Sequence, residues 1–151
     1  MTRRFHRIRG FLDLPPRRRR LFLQAWTLFP LLAAALRAFG FRRVCGLLMR
    51  GPAGAPPDPE GVADAVAAVE LAAIHSPVDA NCLLRSLALV RILRGLGADP
   101  RLRFGVCQRD DRFEAHAWVE LGGEVLNDAP DVGIRYRPFD TPITVPTHVW
   151  R

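Results

Sequence analysis

At 151 residues the chain has room for one domain with a real core and not for two ordinary ones. An apolar share of 49% beside a charged share of 25% excludes a disordered chain. The net charge of +7 is carried entirely by arginine and is uneven: residues 1–50 hold twelve arginines against one acid, Asp13, whereas residues 51–151 hold ten against fourteen acids. A basic N-terminal helical segment, residues 1–51, is therefore expected ahead of a core over residues 52–151.

Residues 1–14 are basic and aromatic with no clear period. Asp13-Leu14-Pro15-Pro16 has the make-up of a helix start, with proline near the first turn. Helical spacing then runs from Arg17 to about Ala38 and closes at Gly40. Pro30 is expected to kink or split that helix. Arg17–Arg20 sit in its first turn, against the helix dipole, which calls for compensation from outside, by an acidic partner or phosphate. The apolar run Leu21–Leu36 is interrupted by Gln24, Thr27 and Pro30. At about sixteen residues it falls short of the about 20 that a membrane span needs. A helix packed on the core, or one in peripheral membrane contact through residues 21–36, is favoured over a span. A short helix follows over Arg42–Arg50, ending at Gly51.

Gly51-Pro52-Ala53-Gly54-Ala55-Pro56-Pro57-Asp58-Pro59 is a linker by composition. Asp58 caps the next helix, with Pro59 at its first position. That helix, about 59–74, places Val62, Ala65, Val66, Val69 and Ala73 on one face. A second helix, about 82–95, begins at Cys82. Pro77, Asp79 and Asn81 ahead of it suit a turn and an N-cap, and Leu83, Leu84, Leu87, Val90 and Leu93 recur at helical spacing up to Gly95 and Gly97. A thiol at the first turn of a helix faces unpaired N–H groups and the positive end of the dipole, surroundings that favour the nucleophilic thiolate.

After Pro100 the period becomes two. Leu102, Phe104 and Val106 form one face of a strand; Asp110-Asp111 turns the chain; Phe113, Ala115, Ala117, Val119 and Leu121 alternate with Glu114, His116, Trp118 and Glu120 in a second. Gly122-Gly123 turns again into a third strand, Glu124–Asp128. The Pro-rich tail reads as loop, with a short strand near Ile134–Arg137. Helices followed by an antiparallel meander indicate an α+β fold.

The chemistry-bearing residues are Cys82, His116 and Asp128. His116 takes the thiol proton and returns it to a leaving amine, Asp128 orients the ring, and the Cys82 N–H is a natural oxyanion donor. Asn81 or Asn127 is a candidate second donor. The arrangement needs His116 and Asp128 on one face of their hairpin. A two-residue Gly-Gly loop would pair Leu121 with Glu124 and put them on opposite faces, so a loop of odd length with a bulge is expected. Trp118, Phe113 and Arg85 are groove candidates by proximity, and Trp118 is also a candidate support for the site. Cys45 and Cys107 read as buried and inert. Three cysteines cannot all pair, and no signal-peptide pattern is present, so a reducing cytoplasm is expected. The four histidines are far apart, no Cys-x-x-Cys occurs, and neither metal nor cofactor is expected.

Four motifs carry a resemblance: Cys82-Leu83-Leu84-Arg85-Ser86-Leu87-Ala88-Leu89, Leu102-Arg103-Phe104-Gly105-Val106, Ala115-His116-Ala117-Trp118-Val119-Glu120 and Val125-Leu126-Asn127-Asp128. Over residues 79–130 the chain resembles the stand-alone leader peptidases of lasso-peptide biosynthesis, the B2 proteins, within the transglutaminase-like cysteine protease superfamily. The resemblance implies a papain-like core, a helix bearing Cys82 packed on a small antiparallel sheet, with Cys82, His116 and Asp128 as the triad. It implies removal of a leader from a ribosomally made precursor peptide before an ATP-dependent cyclase closes the ring. Residues 1–50 are too short and too helical for a winged-helix leader-recognition module, so a separate B1-type recognition protein is expected. The basic segment would dock that protein or the cyclase. Competing readings are acyl transfer to an amine, as in a transglutaminase, and a non-catalytic protein binding nucleic acid through Arg3–Arg20 or a membrane surface. No nucleic-acid motif accompanies the arginines, so nucleic acid is not expected as a partner.

Overall fold

A computed structural model describes residues 14–50, 58–109 and 112–139. The basic stretch before Leu14, the linker 51–57, the Asp110-Asp111 turn and the tail after Phe139 lie outside the described residues.

Helix α1 (Pro16–Phe39) begins with Pro16 in its first turn and ends at Gly40, whose positive φ of 76° turns the chain while its N–H bonds the Leu36 carbonyl. Pro30 does not split it. Leu21, Ala25, Phe29 and Leu32 form one buried stripe on both sides of Pro30, and this packing holds the axis across the missing hydrogen bond. Helix α2 (Phe41–Leu48) follows at once, buries Val44 and Cys45, and stops short of the expected Arg50.

Two of the four first-turn arginines, Arg17 and Arg18, find compensation within the chain. Arg18 pairs with Asp64, and Arg17 lies 3.3 Å from Asp58 and 4.0 Å from Asp64. Both acids belong to the start of α3 (Pro59–Ile74), where Asp58 is the N-cap and accepts from the Gly61 N–H at 2.5 Å. That N–H, then Arg17, holds the Asp58 carboxyl below its usual value. The ends of α1 and α3 are thereby joined, an ion-pair link that sequence spacing could not show.

On α3 the buried face is Ala65, Ala68, Val69 and Ala72, rotated from the expected one, with Val62, Val66 and Ala73 at the rim. Side chains this small let α1 and α4 (Cys82–Gly95) pack closely on either side. Helix α4 is the centre of the molecule: Leu84, Leu87, Ala88, Leu89, Val90, Ile92 and Leu93 are all buried. Residues of α1 and α2 join this same core, so the N-terminal helices are integral to it.

Four antiparallel strands complete the α+β architecture: β1 (Arg101–Arg109), β2 (Arg112–Leu121), β3 (Glu124–Val125) and β4 (Arg137–Pro138), in the order β3-β2-β1-β4. Leu102 and Val119 on one face of the sheet join the helical core. The tail differs from expectation, because a helical turn, α5 (Val132–Arg135), precedes β4.

Candidate active site

The β2–β3 loop is the two-residue loop, not the odd one. Leu121 pairs with Glu124 and Glu120 with Val125. Gly122 and Gly123 both have positive φ, 61° and 92°, the backbone of a tight primed turn that matches strand twist. Continued, that register would send Asp128 to the face opposite His116. It is not continued: β3 ends at Val125, three residues earlier than expected.

Asn127 ends it. A regular ladder would pair Val119 with Leu126 through two backbone bonds. The Leu126 N–H does donate to the Val119 carbonyl at 2.9 Å, but the Val119 N–H goes to the Asn127 side-chain oxygen at 2.8 Å. The amide side chain replaces a backbone carbonyl, the chain bends away, and alternation is lost. Asp128 then reaches the His116 face, where Oδ2 lies 2.5 Å from Nε2.

The same bend opens the edge of β2 to helix α4. In an antiparallel ladder the N–H and C=O of a residue point to one side, alternating along the strand. Val119 points its groups toward β3, so Ala117 does too, at a place where β3 has ended. The Ala117 carbonyl instead accepts from Ser86 Oγ on α4 at 3.1 Å, and Ser86 Oγ accepts from Asn127 Nδ2 at 3.0 Å. Ser86 is fully buried, which makes this bond a fixed one. Cys82 lies one helical turn before Ser86, on the same side of α4. Ser86 thus holds α4 against the edge of β2.

His116 is also fixed by aromatic rings. Tyr136, between α5 and β4, stacks on it with centroids 4.6 Å apart, and the Trp118 ring lies at 6.3 Å. Gly105, opposite His116 on β1, permits this closure. A Cβ there would come within 3.0 Å of Trp118, Tyr136 and the Arg137 carbonyl. Behind the ring, Asp128 also binds Arg135 and the Ala129 N–H. Burial works to raise the Asp128 carboxyl, but bonds from His116, Ala129 and Arg135 outweigh it and hold it below the usual range.

Cys82 is half-exposed and free at the first residue of α4, and Asn81 caps that helix, accepting from the Leu84 N–H at 3.1 Å. Among the described residues no hydrogen bond joins the Cys82 sulfur to the His116 ring; the bond that is made is the one from the ring to the acid. Trp118 is 1% exposed with its N–H on Glu120, so it lies under the site and lines no groove. Arg85 is tied to Glu70 and to the Ala80 carbonyl, bracing the loop before Cys82. Asn127 spends its amide on Val119 and Ser86. Phe113 is exposed on β2. Cys45 is buried, which pushes its thiol up to about 11. Cys107, expected buried, is half-exposed on β1 and faces Glu114. Among the described residues no group of three or more His, Cys, Asp or Glu side chains is placed to hold a metal.

The sequence model of the transglutaminase-like superfamily matches residues 25–141. The chain belongs to the transglutaminase-like superfamily. The match begins inside α1 and runs past β4, so the superfamily region takes in part of the N-terminal helical segment. A curated relative, the microcin J25-processing protein McjB of Escherichia coli, is 48% identical over 52 residues, which are 34% of this chain and 24% of that protein. The matched region thus spans about a quarter of the length of that relative. No solved structure matches. In this member of the superfamily, sequence reasoning missed Ser86, Gly105, Arg135 and Tyr136 as parts of the site. A glycine inside an alternating strand was a usable signal of close approach; the other three carried none.

Proposed function

We propose that the protein is a cysteine peptidase that removes the leader from a ribosomally made lasso precursor peptide through a thioester acyl-enzyme. The observation that carries the reading is the 2.5 Å bond between His116 Nε2 and Asp128, in a chain whose helix α4 starts with a free Cys82. With Nε2–H donated to Asp128, the neutral ring presents Nδ1 as the proton acceptor. His116 takes the Cys82 proton and the sulfur attacks the scissile carbonyl. The Cys82 N–H donates to the oxyanion. His116 returns the proton to the departing amine, leaving a thioester. Water, deprotonated by the same ring, then releases the carboxylate and regenerates the thiol.

Superfamily membership supports the acyl-enzyme chemistry, and the name of the Escherichia coli relative supports a peptide substrate. A separate recognition protein and an ATP-dependent cyclase are proposed as partners. A reducing cytoplasm is proposed as the compartment, which suits three free cysteines. The test is incubation of the chain with a precursor peptide and its recognition protein, followed by mass measurement. Two fragments totalling the precursor plus one water are expected from the wild type and none from Cys82→Ala. Cleavage by the alanine variant would remove the nucleophile; a new amide without added water would make the protein an acyl transferase to amines.

A further inference from the structure

Helix α1 has two apolar faces, and only one is used by the fold. Leu21, Ala25, Phe29 and Leu32 are packed inside. The opposite side exposes Leu23, Trp26, Thr27, Leu31 and Ala34, with Leu31 at 64%. From Leu21 to Leu36 there is no charged residue. Two apolar faces are why this helix is long and apolar enough to cross a membrane by length and composition. It cannot cross one while its inner face is packed on α3 and α4.

The Thr27 hydroxyl and the Trp26 N–H on the outer face are already satisfied. Thr27 Oγ donates back to the Leu23 and Gln24 carbonyls at 3.0 Å, which turns its methyl outward. The Trp26 N–H donates to the His75 carbonyl at 2.9 Å. That bond brings the end of α3 alongside, and its last residue, Ile74, is 72% exposed. The face therefore offers hydrocarbon to its surroundings. It is bounded by Arg20 and Arg37, about 25 Å apart at 1.5 Å per residue. Both arginines are exposed and pair with no acid among the described residues.

We propose that this face is a peripheral docking surface for an anionic lipid bilayer, with α1 lying in the plane of the interface. Apolar side chains enter the acyl boundary, and Arg20 and Arg37 reach the headgroups from either end. The charge pattern selects lipid: the flanking groups are all basic, in a segment with twelve arginines and one acid. This inference does not depend on the peptidase reading.

The test is flotation of the full chain with vesicles of equimolar phosphatidylglycerol and phosphatidylcholine, and with phosphatidylcholine alone. Binding to the anionic vesicles is expected, at least about tenfold stronger than to the neutral ones. Leu23→Glu/Leu31→Glu should weaken it by about tenfold or more. Arg20→Gln/Arg37→Gln should weaken only the anionic binding, and Phe113→Glu, exposed on β2, should change nothing. Circular dichroism and a melting curve establish that each variant is folded. Absence of the full chain from anionic vesicles, equal binding to both vesicle types, or a folded double-glutamate variant that still floats would each overturn the proposal. So would a dimer that the glutamates dissociate without any vesicle binding, which would make the face a contact between copies of the chain.

Discussion

The two faces of the β-sheet divide the molecule's work. One carries Leu102, Ala117 and Val119, buried in or against the helical hydrocarbon. The other carries Arg103, His116, Trp118 and Glu120, under Tyr136 and α5. Only the second presents groups able to move a proton, and it is held by hydrogen bonds, ring stacking and a small core of its own, Trp118, Val132 and Tyr136. The two faces meet at one place, the edge of β2, where Ser86 and Asn127 join helix α4 to the strand. Stability and chemistry should therefore separate under mutation except at that edge.

The largest separation is expected for Cys82→Ala. Cleavage should fall by about 10³-fold or more, with stability within about 0.5 kcal/mol of wild type in urea unfolding. A large stability loss there would erase the division. Leu87→Ala, on the other side, should cost about 2–5 kcal/mol by opening a cavity in α4, with the cleavage rate per folded molecule unchanged. A Leu87 variant that is stable but inactive would mean the core tunes the site directly. Tyr136→Ala removes the ring stacked on His116. Cleavage should drop by up to about 10²-fold as the imidazole loses its orientation, and Tyr136→Phe should restore it.

Asn127→Ala tests the edge. It deprives the Val119 N–H of its acceptor and frees the bend that delivers Asp128. A stability loss of about 1–3 kcal/mol should accompany a loss of cleavage. Either effect without the other would show that the two faces are not joined there. The smallest effect is electrostatic. Asp128 is depressed in the folded protein, so its stabilisation is present above the ordinary carboxyl value of 3.8 and is lost as pH falls through the lowered one. Arg135→Gln removes one of the lowering partners and should move acid unfolding to higher pH, read by fluorescence across a pH series. No movement would mean Arg135 leaves the acid alone.

Helices α3 and α4 could be read off the chain to within a residue or so because their start signals are local: Asp58-Pro59 in one case, Asn81 in the other. Strands β1 and β2 were legible from strict alternation. The third strand and its loop were not. Expecting the acid on the imidazole's face was right, but the odd loop offered to achieve it was wrong. Two adjacent glycines favour the even turn locally, and the face change is made instead by one asparagine side chain two residues beyond the strand. No periodicity encodes a side chain standing in for a carbonyl.

Tyr136 lies 20 positions after His116, and Asp64 lies 46 after Arg18. Contacts at such separations arise from packing and leave no spacing in the sequence to read. What the chain alone specifies is its caps and its periods, since these depend on neighbours within a turn or a strand. Which face Asp128 reaches, which strand edge α4 closes, and which side of α1 stays outside depend on how the elements stack, and stacking is settled by burial across the whole molecule.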